Sequence, residues 1–436
     1  MLQRFFYNVV LVLFLSLTWP YFLWRMRRRG NVLPFFHERF GRYDDTTAKK
    51  IRSIQNPLWI HAVSVGEMMI ARVLIKEIRK LQPQQPVVLT VTTQTGRQVS
   101  QPLVDEQTVV IYTPIDFYPI TRRAFDLIRP SALVLVEGEI WPNMLWEAKK
   151  RDIPICTINA RLSHRSWRRY RQFRNFVKPV LKKISWIGLQ HEEDRARFAQ
   201  AGFPPHKLFT VGSLKFDVAE LASHNAKLAE SIRTVLGWKE EDPILLAGST
   251  HPGEEKLIVE IYKRIKQDVA SLKLVLAPRH AERAPRILED CAGLNIIRRS
   301  QLDTILAEKP EILLLDTTGE LRSLYSMGTV IFMGKSLLGK GGQNFIEAAR
   351  FGRPIIVGPH MQNFSILTAI FKNNKGILQV QDSRELEEKL KSLFKNSSQR
   401  LELGKNAADT FQNNLGAGRK TAKMILDTAR ATIPIA

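Results

Sequence analysis

The sequence predicts an α/β protein built from two Rossmann-like halves that face a central cleft. Short apolar, β-branched runs alternate with helix-length amphipathic segments, the pattern of parallel sheets whose crossovers are helices. The alternation comes in two series, separated by a polar, helix-forming stretch around residues 217–233. Many of the runs end in polar loops, and in open α/β sheets ligands bind beyond the C-terminal ends of the strands. At 436 residues the chain has room for about two or three ordinary domains.

In the first series the expected strands are Leu58–Val63, Val87–Thr92, Val109–Tyr112, Ala132–Val136, Ile153–Ile158, Trp186–Leu189 and Leu208–Val211. In the second they are Ile244–Ala247, Leu272–Leu276, Ile312–Leu315, Val330–Met333, Pro354–Val357 and Ile377–Val380, with helical patterns from Glu385 onward. The expected division is an anchor helix over 1–30, a first Rossmann-like domain over 31–216, a linker over 217–240 and a second Rossmann-like domain over 241–436.

The net charge of +23 is unevenly spread. Residues 1–43 carry seven Arg against Glu38 alone, and residues 161–183 carry nine Lys or Arg with no acid. Such localised fields attract an anionic partner, a membrane surface or a nucleic acid. The N-terminus decides for the membrane. Phe5 to Trp24 is nearly uncharged, would measure roughly 30 Å as a helix, and is followed at once by Arg25, Arg27, Arg28 and Arg29. By the positive-inside rule the following domains are cytoplasmic. Asn8, Pro20 and the flanking Trp19, Tyr21 and Trp24 leave open an interfacial helix in place of a full span. In 161–183, Trp167, Tyr170, Phe173 and Phe176 sit among the arginines, as in a second surface contact; the alternative is a solvated helix packed on its domain. Cys156 and Cys291 are far apart and show no metal-ligand spacing, which points to a reducing compartment.

The most telling segment is His61-Ala62-Val63-Ser64-Val65-Gly66-Glu67, a strand end, a tight turn and a helix start. Glu67 is the candidate general base; the alternative is a first-turn acid that favours the helix dipole. Glu137-Gly138-Glu139 follows another strand, and with no D-x-D motif in the chain a metal-free site is expected. Lys215, in Gly212-Ser213-Leu214-Lys215-Phe216-Asp217, can neutralise an anionic substrate group; the alternative is an ordinary hinge lysine. In the second half, Gly334 to Asn344 is glycine-rich between a strand and a helical pattern, which fits a phosphate cradle without being a Walker loop; the alternative is a plain flexible loop. Pro278-Arg279-His280 and Asp316-Thr317-Thr318-Gly319-Glu320-Leu321 end two more strands. Asn344 and Glu347 share one helical face, where an acid can accept ribose hydroxyls; the alternative is a cap.

Taken together, His61–Glu67, Glu137–Asn143, Gly212–Asp217, Ala277–His280 and Asn344–Glu347 resemble the Kdo (3-deoxy-D-manno-octulosonic acid) transferases of lipopolysaccharide assembly. The resemblance covers most of the chain and implies a GT-B fold, with an acceptor domain followed by a CMP-binding domain. It implies CMP-Kdo as donor, with no other cofactor, and a lipid IVA-like acceptor at the cytoplasmic face of the inner membrane of a Gram-negative bacterium. By matching motif, Glu67 resembles the catalytic base, and Glu137 and Lys215 the residues that stabilise the transition state. Pro278 and Arg279, then Gly319, Glu320 and Leu321, then Asn344, Phe345, Ile346 and Glu347 resemble the CMP-binding segments. Gly138 and Ser213 depart from the usual residues without removing a charge. An inverting, metal-independent transfer is expected. The rival readings are another membrane-associated GT-B enzyme, such as a nucleotide-sugar epimerase, and a nucleic-acid-binding protein; the latter leaves the apolar N-terminus and the strand-end loops without purpose.

Overall fold

A computed structural model describes residues 2–28, 35–162, 164–221, 225–302 and 309–431. The chain forms two compact units, Met1–Val218 with Leu415–Ala436, and Ala219–Asn414.

The first unit is built on seven parallel strands: β1 (Leu58–Ala62), β2 (Val87–Val91), β3 (Thr108–Tyr112), β4 (Ala132–Val136), β5 (Ile155–Ala160), β6 (Trp186–Leu189) and β7 (Leu208–Thr210). Their order is β3-β2-β1-β4-β5-β6-β7, so the chain reverses direction of travel between β1 and β4. Every residue of β1 to β6 is buried, as a parallel sheet covered on both faces requires. The helix Val65–Leu81 follows β1 and turns Met68, Ala71, Leu74, Ile75 and Ile78 into the core. The C-terminal helix Ala417–Arg430 packs into that same core through Ala422, Ile425, Leu426 and Ala429. Gly418 permits the approach, because a Cβ there would lie 2.9 Å from Val73 Cγ1. Asp217 holds the start of this helix, accepting the N–H groups of Gly416 (2.9 Å) and Gly418 (3.3 Å).

The second unit holds β8 (Ile244–Thr250), β9 (Lys273–Pro278), β10 (Ile296–Arg298), β11 (Ile312–Leu314), β12 (Val330–Met333), β13 (Ile355–Val357) and β14 (Leu378–Gln379). All are parallel, in the order β10-β11-β9-β8-β12-β13-β14, with the reversal between β8 and β12.

The α/β class and the two sheets are as expected, and three features differ. The edge strand β10 is not among the expected strands; its three residues, Ile296–Arg298, fall short of the run of about four to eight that marks a strand. The last helix joins the first unit instead of the second. Much of 217–240 is no linker: the helix Ala226–Val235 precedes Trp238, which is buried and donates its indole N–H to Pro310 O at 2.6 Å in the second unit.

Phe5–Trp24 falls within one helix, Leu2–Arg28. Yet among the described residues no helix is long and apolar enough to cross a membrane. Asn8, Ser16, Thr18 and Pro20 dilute its apolar run. The spanning form of the expected anchor is therefore not supported; residues 29 and 30 of that segment, with Arg29, lie outside the described residues. One face of the helix is bound to the first unit. Arg4 reaches the buried Glu147 (2.6 Å) and Asn143 (3.1 Å), and Tyr7 donates to the buried Asp116 (2.9 Å). Asn8 accepts the Tyr118 N–H at 3.1 Å. Leu2, Phe5, Phe6, Val9, Leu13 and Leu17 are exposed on the helix.

The basic segment forms the helices His164–Gln172 and Arg174–Leu181. Trp167 and Tyr170 pack against the core of the first unit, while Arg168, Arg169 and Phe173 are exposed. Two of its four aromatic residues are thus packing groups, because the amphipathic face that carries them is the one turned to the sheet.

A close backbone approach in the second unit lies at Gly334, just after β12, where a Cβ would sit 2.4 Å from Thr250 Cα and 2.6 Å from Ser249 O. Backbone there cannot yield cheaply. Gly334→Ala is expected to destabilise this unit by about 1–3 kcal/mol, read as an earlier urea transition followed by circular dichroism, with the first unit unaffected.

Candidate active site

At the end of β1 the chain turns through Val63 and Ser64 into the helix Val65–Leu81. Ser64 Oγ accepts the Glu67 N–H at 3.3 Å, and Glu67 reaches back, its Oε2 accepting the Val63 N–H and its Oε1 the Ser64 hydroxyl, both at 2.9 Å. This reciprocal arrangement is a variant of the capping box, with the return bond made to Val63, one residue before the cap. It fixes the carboxylate in one orientation. A position near a helix N-terminus is expected to keep Glu67 ionised, and the structure corrects this. Burial pushes its carboxyl up to about 7, against the lowering effect of the Val63 and Ser64 hydrogen bonds, and the nearby Glu139 and Glu137 raise it further. A carboxyl titrating near neutrality is suited to accept a proton in a transition state.

Glu137 leaves β4 with φ 63, a left-handed conformation that a side chain with a Cβ adopts only under constraint. Asn159, at the end of β5, supplies part of that constraint. Its Nδ2 donates to Glu137 Oε1 at 3.2 Å, and its Oδ1 accepts the Leu214 N–H at 3.0 Å. Asn159 thereby joins the Glu137 turn to the first turn of the helix Leu214–Leu221, which carries Lys215. Lys215 Nζ lies 3.6 Å from Glu137 Oε1. Burial lowers the Lys215 pKa, and Glu137 counters that effect. Glu139 is raised by burial, while a 3.2 Å hydrogen bond from the Trp141 indole lowers it. The strand thus brings Glu67, Glu137, Glu139 and Lys215 to the C-terminal ends of β1 and β4, at the point where strand order reverses. Among the described residues no group of three His, Cys, Asp or Glu is placed to hold a metal ion.

His61, inside β1, is fully buried, and burial drives its pKa down to about 3. Its ring meets Trp141 edge-on at 5.9 Å and its Nδ1 lies 2.9 Å from Thr90 Oγ1, so it is a neutral packing group behind the acidic turn.

In the second unit, the segments expected at a nucleotide site lie at the ends of β9, β11 and β12. Pro278 closes β9, and Arg279 and His280 are exposed after it. The Arg279 N–H is bonded to Thr250 O at 3.0 Å. Gly319 has φ 90, and Glu320 beside it accepts from Arg299 at 2.9 Å and from the Thr317 hydroxyl. Phe345 and Ile346 are buried core residues, with Phe345 meeting Phe371 edge-on at 5.1 Å. Asn344 is a local cap, its Oδ1 accepting the Ile346 N–H at 3.2 Å. Glu347 is the one charged side chain of that segment, and Arg322 pairs with it at 2.8 Å.

The glycine-rich loop is not the open cradle its sequence suggests. The fully buried Glu254 accepts the N–H groups of Lys335 (2.6 Å), Leu337 (3.1 Å) and Leu338 (3.4 Å). Gln362 takes the Gly341 N–H at 2.9 Å, and Lys335 O takes that of Gly342 at 3.1 Å. These donors are spent on the protein itself. The following helix, Ile346–Ala349, is a single turn and adds little dipole. Sequence reasoning missed Asn159 and Arg322, and it reads Glu254 only as part of the polar loop Gly248–Glu254 at the end of β8. Only Asn159 left a signal, a polar residue at the end of an apolar strand.

A buried acid raised to about 7 at one reversal point, and paired acids with a constrained glycine loop at another, equip an α/β enzyme for proton transfer and for binding a polar substrate. The fold is shared with UDP-GlcNAc 2-epimerase from Neisseria meningitidis bound to UDP-GlcNAc, at TM-score 0.59 and 12% identity over 86% of this chain and 100% of the other. That likeness is one of fold alone. The family described as 3-deoxy-D-manno-octulosonic-acid transferase (kdotransferase) matches residues 35–218. The chain is 30% identical to the 3-deoxy-D-manno-octulosonic acid transferase of Haemophilus influenzae over 87% of its own length and 88% of the relative's. It is 31% identical to the Bordetella pertussis transferase over 94% and 96%. The protein is therefore a glycosyltransferase, and it belongs to the 3-deoxy-D-manno-octulosonic acid (Kdo) transferases.

A carboxyl raised to about 7 is protonated below that pH and a base only above it. The transfer rate at limiting substrate is accordingly expected to rise about tenfold per pH unit on its acid limb and to level off near pH 7. A profile flat from pH 5 to 8 would remove Glu67 as the titrating group.

Proposed function

We propose that this chain moves Kdo from CMP-Kdo to a lipid IVA-like acceptor in lipopolysaccharide assembly, with inversion at the anomeric carbon and without a metal ion. The observation that carries the reading is Glu67: a carboxylate oriented by Ser64 and Val63 and raised by burial to about 7. Glu67 takes the proton of an acceptor hydroxyl as its oxygen forms the new bond to the anomeric carbon of Kdo. The bond from that carbon to the CMP phosphate oxygen breaks on the opposite face, and CMP leaves with the bonding pair. General-base assistance of this kind contributes about 10²- to 10⁴-fold.

The leaving phosphate and the Kdo carboxylate are anions, and the cations of the expected segments are Lys215 and Arg279. Lys215 is already balanced by Glu137, which keeps a half-buried ammonium charged and in position before substrate arrives. In the second unit Pro278, Arg279, Gly319, Glu320, Leu321 and Glu347 form the CMP site, with Asn344, Phe345 and Ile346 as the scaffold under Glu347. The alternative of an epimerase rests on the fold likeness alone and gives the Glu67 base no acceptor to deprotonate.

We place the protein at the cytoplasmic surface of the inner membrane. The exposed apolar residues of the helix Leu2–Arg28 and the basic charge of 161–183 suit an anionic lipid surface better than a full crossing.

Incubation of the purified protein with CMP-Kdo and lipid IVA, followed by mass spectrometry, tests donor, acceptor and number of additions together. Glu67→Gln is expected to lower transfer at least 100-fold while CMP still binds; near-normal transfer would discard Glu67 as the base. A chain lacking residues 1–30 is expected to move to the soluble fraction in high salt, whereas full-length protein that is already soluble at low salt overturns the membrane reading.

A further inference from the structure

The two acids of the proposed CMP segments differ in what they have left to offer a ligand. Glu320 has both oxygens occupied, one by Arg299 and the other by Thr317. Glu347 accepts a single hydrogen bond, from Arg322 Nη2 to Oε1 at 2.8 Å, and its Oε2 has no donor among the described residues. The Glu347 side chain is 24% exposed, which leaves it open to a ligand.

Arg322 stands on the short helix Leu321–Leu324, one residue beyond Gly319-Glu320-Leu321, and Glu347 stands on Ile346–Ala349. Their ion pair is the link between the second and third of the expected nucleotide segments. Tyr325, on which Glu347 acts electrostatically, is buried with its hydroxyl directed to Met333 Sδ at 3.7 Å, so it does not compete for the carboxylate. A guanidinium bound to one oxygen restricts rotation of the carboxylate and leaves a single acceptor in a set direction.

We propose that Arg322 is a positioning residue of the nucleotide site. It holds Glu347 by one oxygen so that the other accepts the ribose hydroxyls, and it thereby makes the site selective for a ribonucleotide. This inference rests on the reading of the second unit as the CMP site, and its test separates the two.

Binding of CMP and of 2′,3′-dideoxycytidine 5′-monophosphate to the full chain in detergent is measured by calorimetry. The unsubstituted protein is expected to prefer CMP by about tenfold or more. Arg322→Gln should weaken CMP by about tenfold and leave the dideoxynucleotide unchanged. Arg322→Lys should restore part of the preference, and Arg322→Gln should add nothing to Glu347→Gln. A purely structural role would weaken both nucleotides alike, and that result overturns the proposal. The Lys variant keeps the charge and guards against misfolding, which thermal melting checks. If the unsubstituted protein binds both nucleotides equally, ribose reading by Glu347 fails while the CMP site stands. If it binds neither, the CMP reading itself falls, and this inference with it.

Discussion

A parallel strand covered on both faces has no solvent side on which to place a charge. Desolvating an unpaired carboxylate or ammonium inside such a sheet costs several kcal/mol, so the polar residues of this chain are driven to the strand ends. The fully buried runs Leu58–Ala62, Val87–Val91 and Ala132–Val136 show the constraint at work. Glu67 and Glu137 come within electrostatic reach of each other because β1 and β4 are neighbours whose chains leave in opposite senses. The same rule in the second sheet gathers the His251 loop and the Gly334–Asn344 loop at the ends of β8 and β12, where Gln343 Nε2 lies 3.0 Å from His251 Nε2.

In the first unit, function is set by a competition between local and non-local electrostatics. The capping box offers Glu67 two donors, which alone would favour the ionised form. Burial and two neighbouring acids oppose them, and burial prevails. Lys215 shows the mirror image: burial disfavours its charge and Glu137 restores it. Asn159 matters here because it joins the two elements that carry this pair, so neither charge must find the other by chance.

The second unit solves a different problem, the ordering of a loop rich in glycine. Glycine lowers the steric cost of a close approach but raises the entropy lost on folding. Glu254 offsets that loss by drawing together the backbone donors of Lys335, Leu337 and Leu338 from one buried point. An internal carboxylate thus occupies the role that a bound anion plays in other glycine loops. The acid left for a ligand is Glu347 at the rim, and it is held by Arg322.

Strand positions were readable from the chain because burial on both faces leaves a continuous apolar run. Only β10 escaped, because Ile296–Arg298 is too short a run to mark a strand. The family and its candidate residues were readable from ordered short motifs such as His61–Glu67 and Asn344–Glu347. What the sequence by itself determined is therefore the fold class, the strand ends and the residues that carry charge there, since these follow from local patterns of polarity. Only the tertiary structure decided what those residues meet: burial around Glu67, Glu254 beneath a loop 81 positions away, Arg322 against Glu347, and a last helix that returns to the first unit. Such partners are set by packing across long separations, and an amphipathic stripe states that a helix is covered without stating by what.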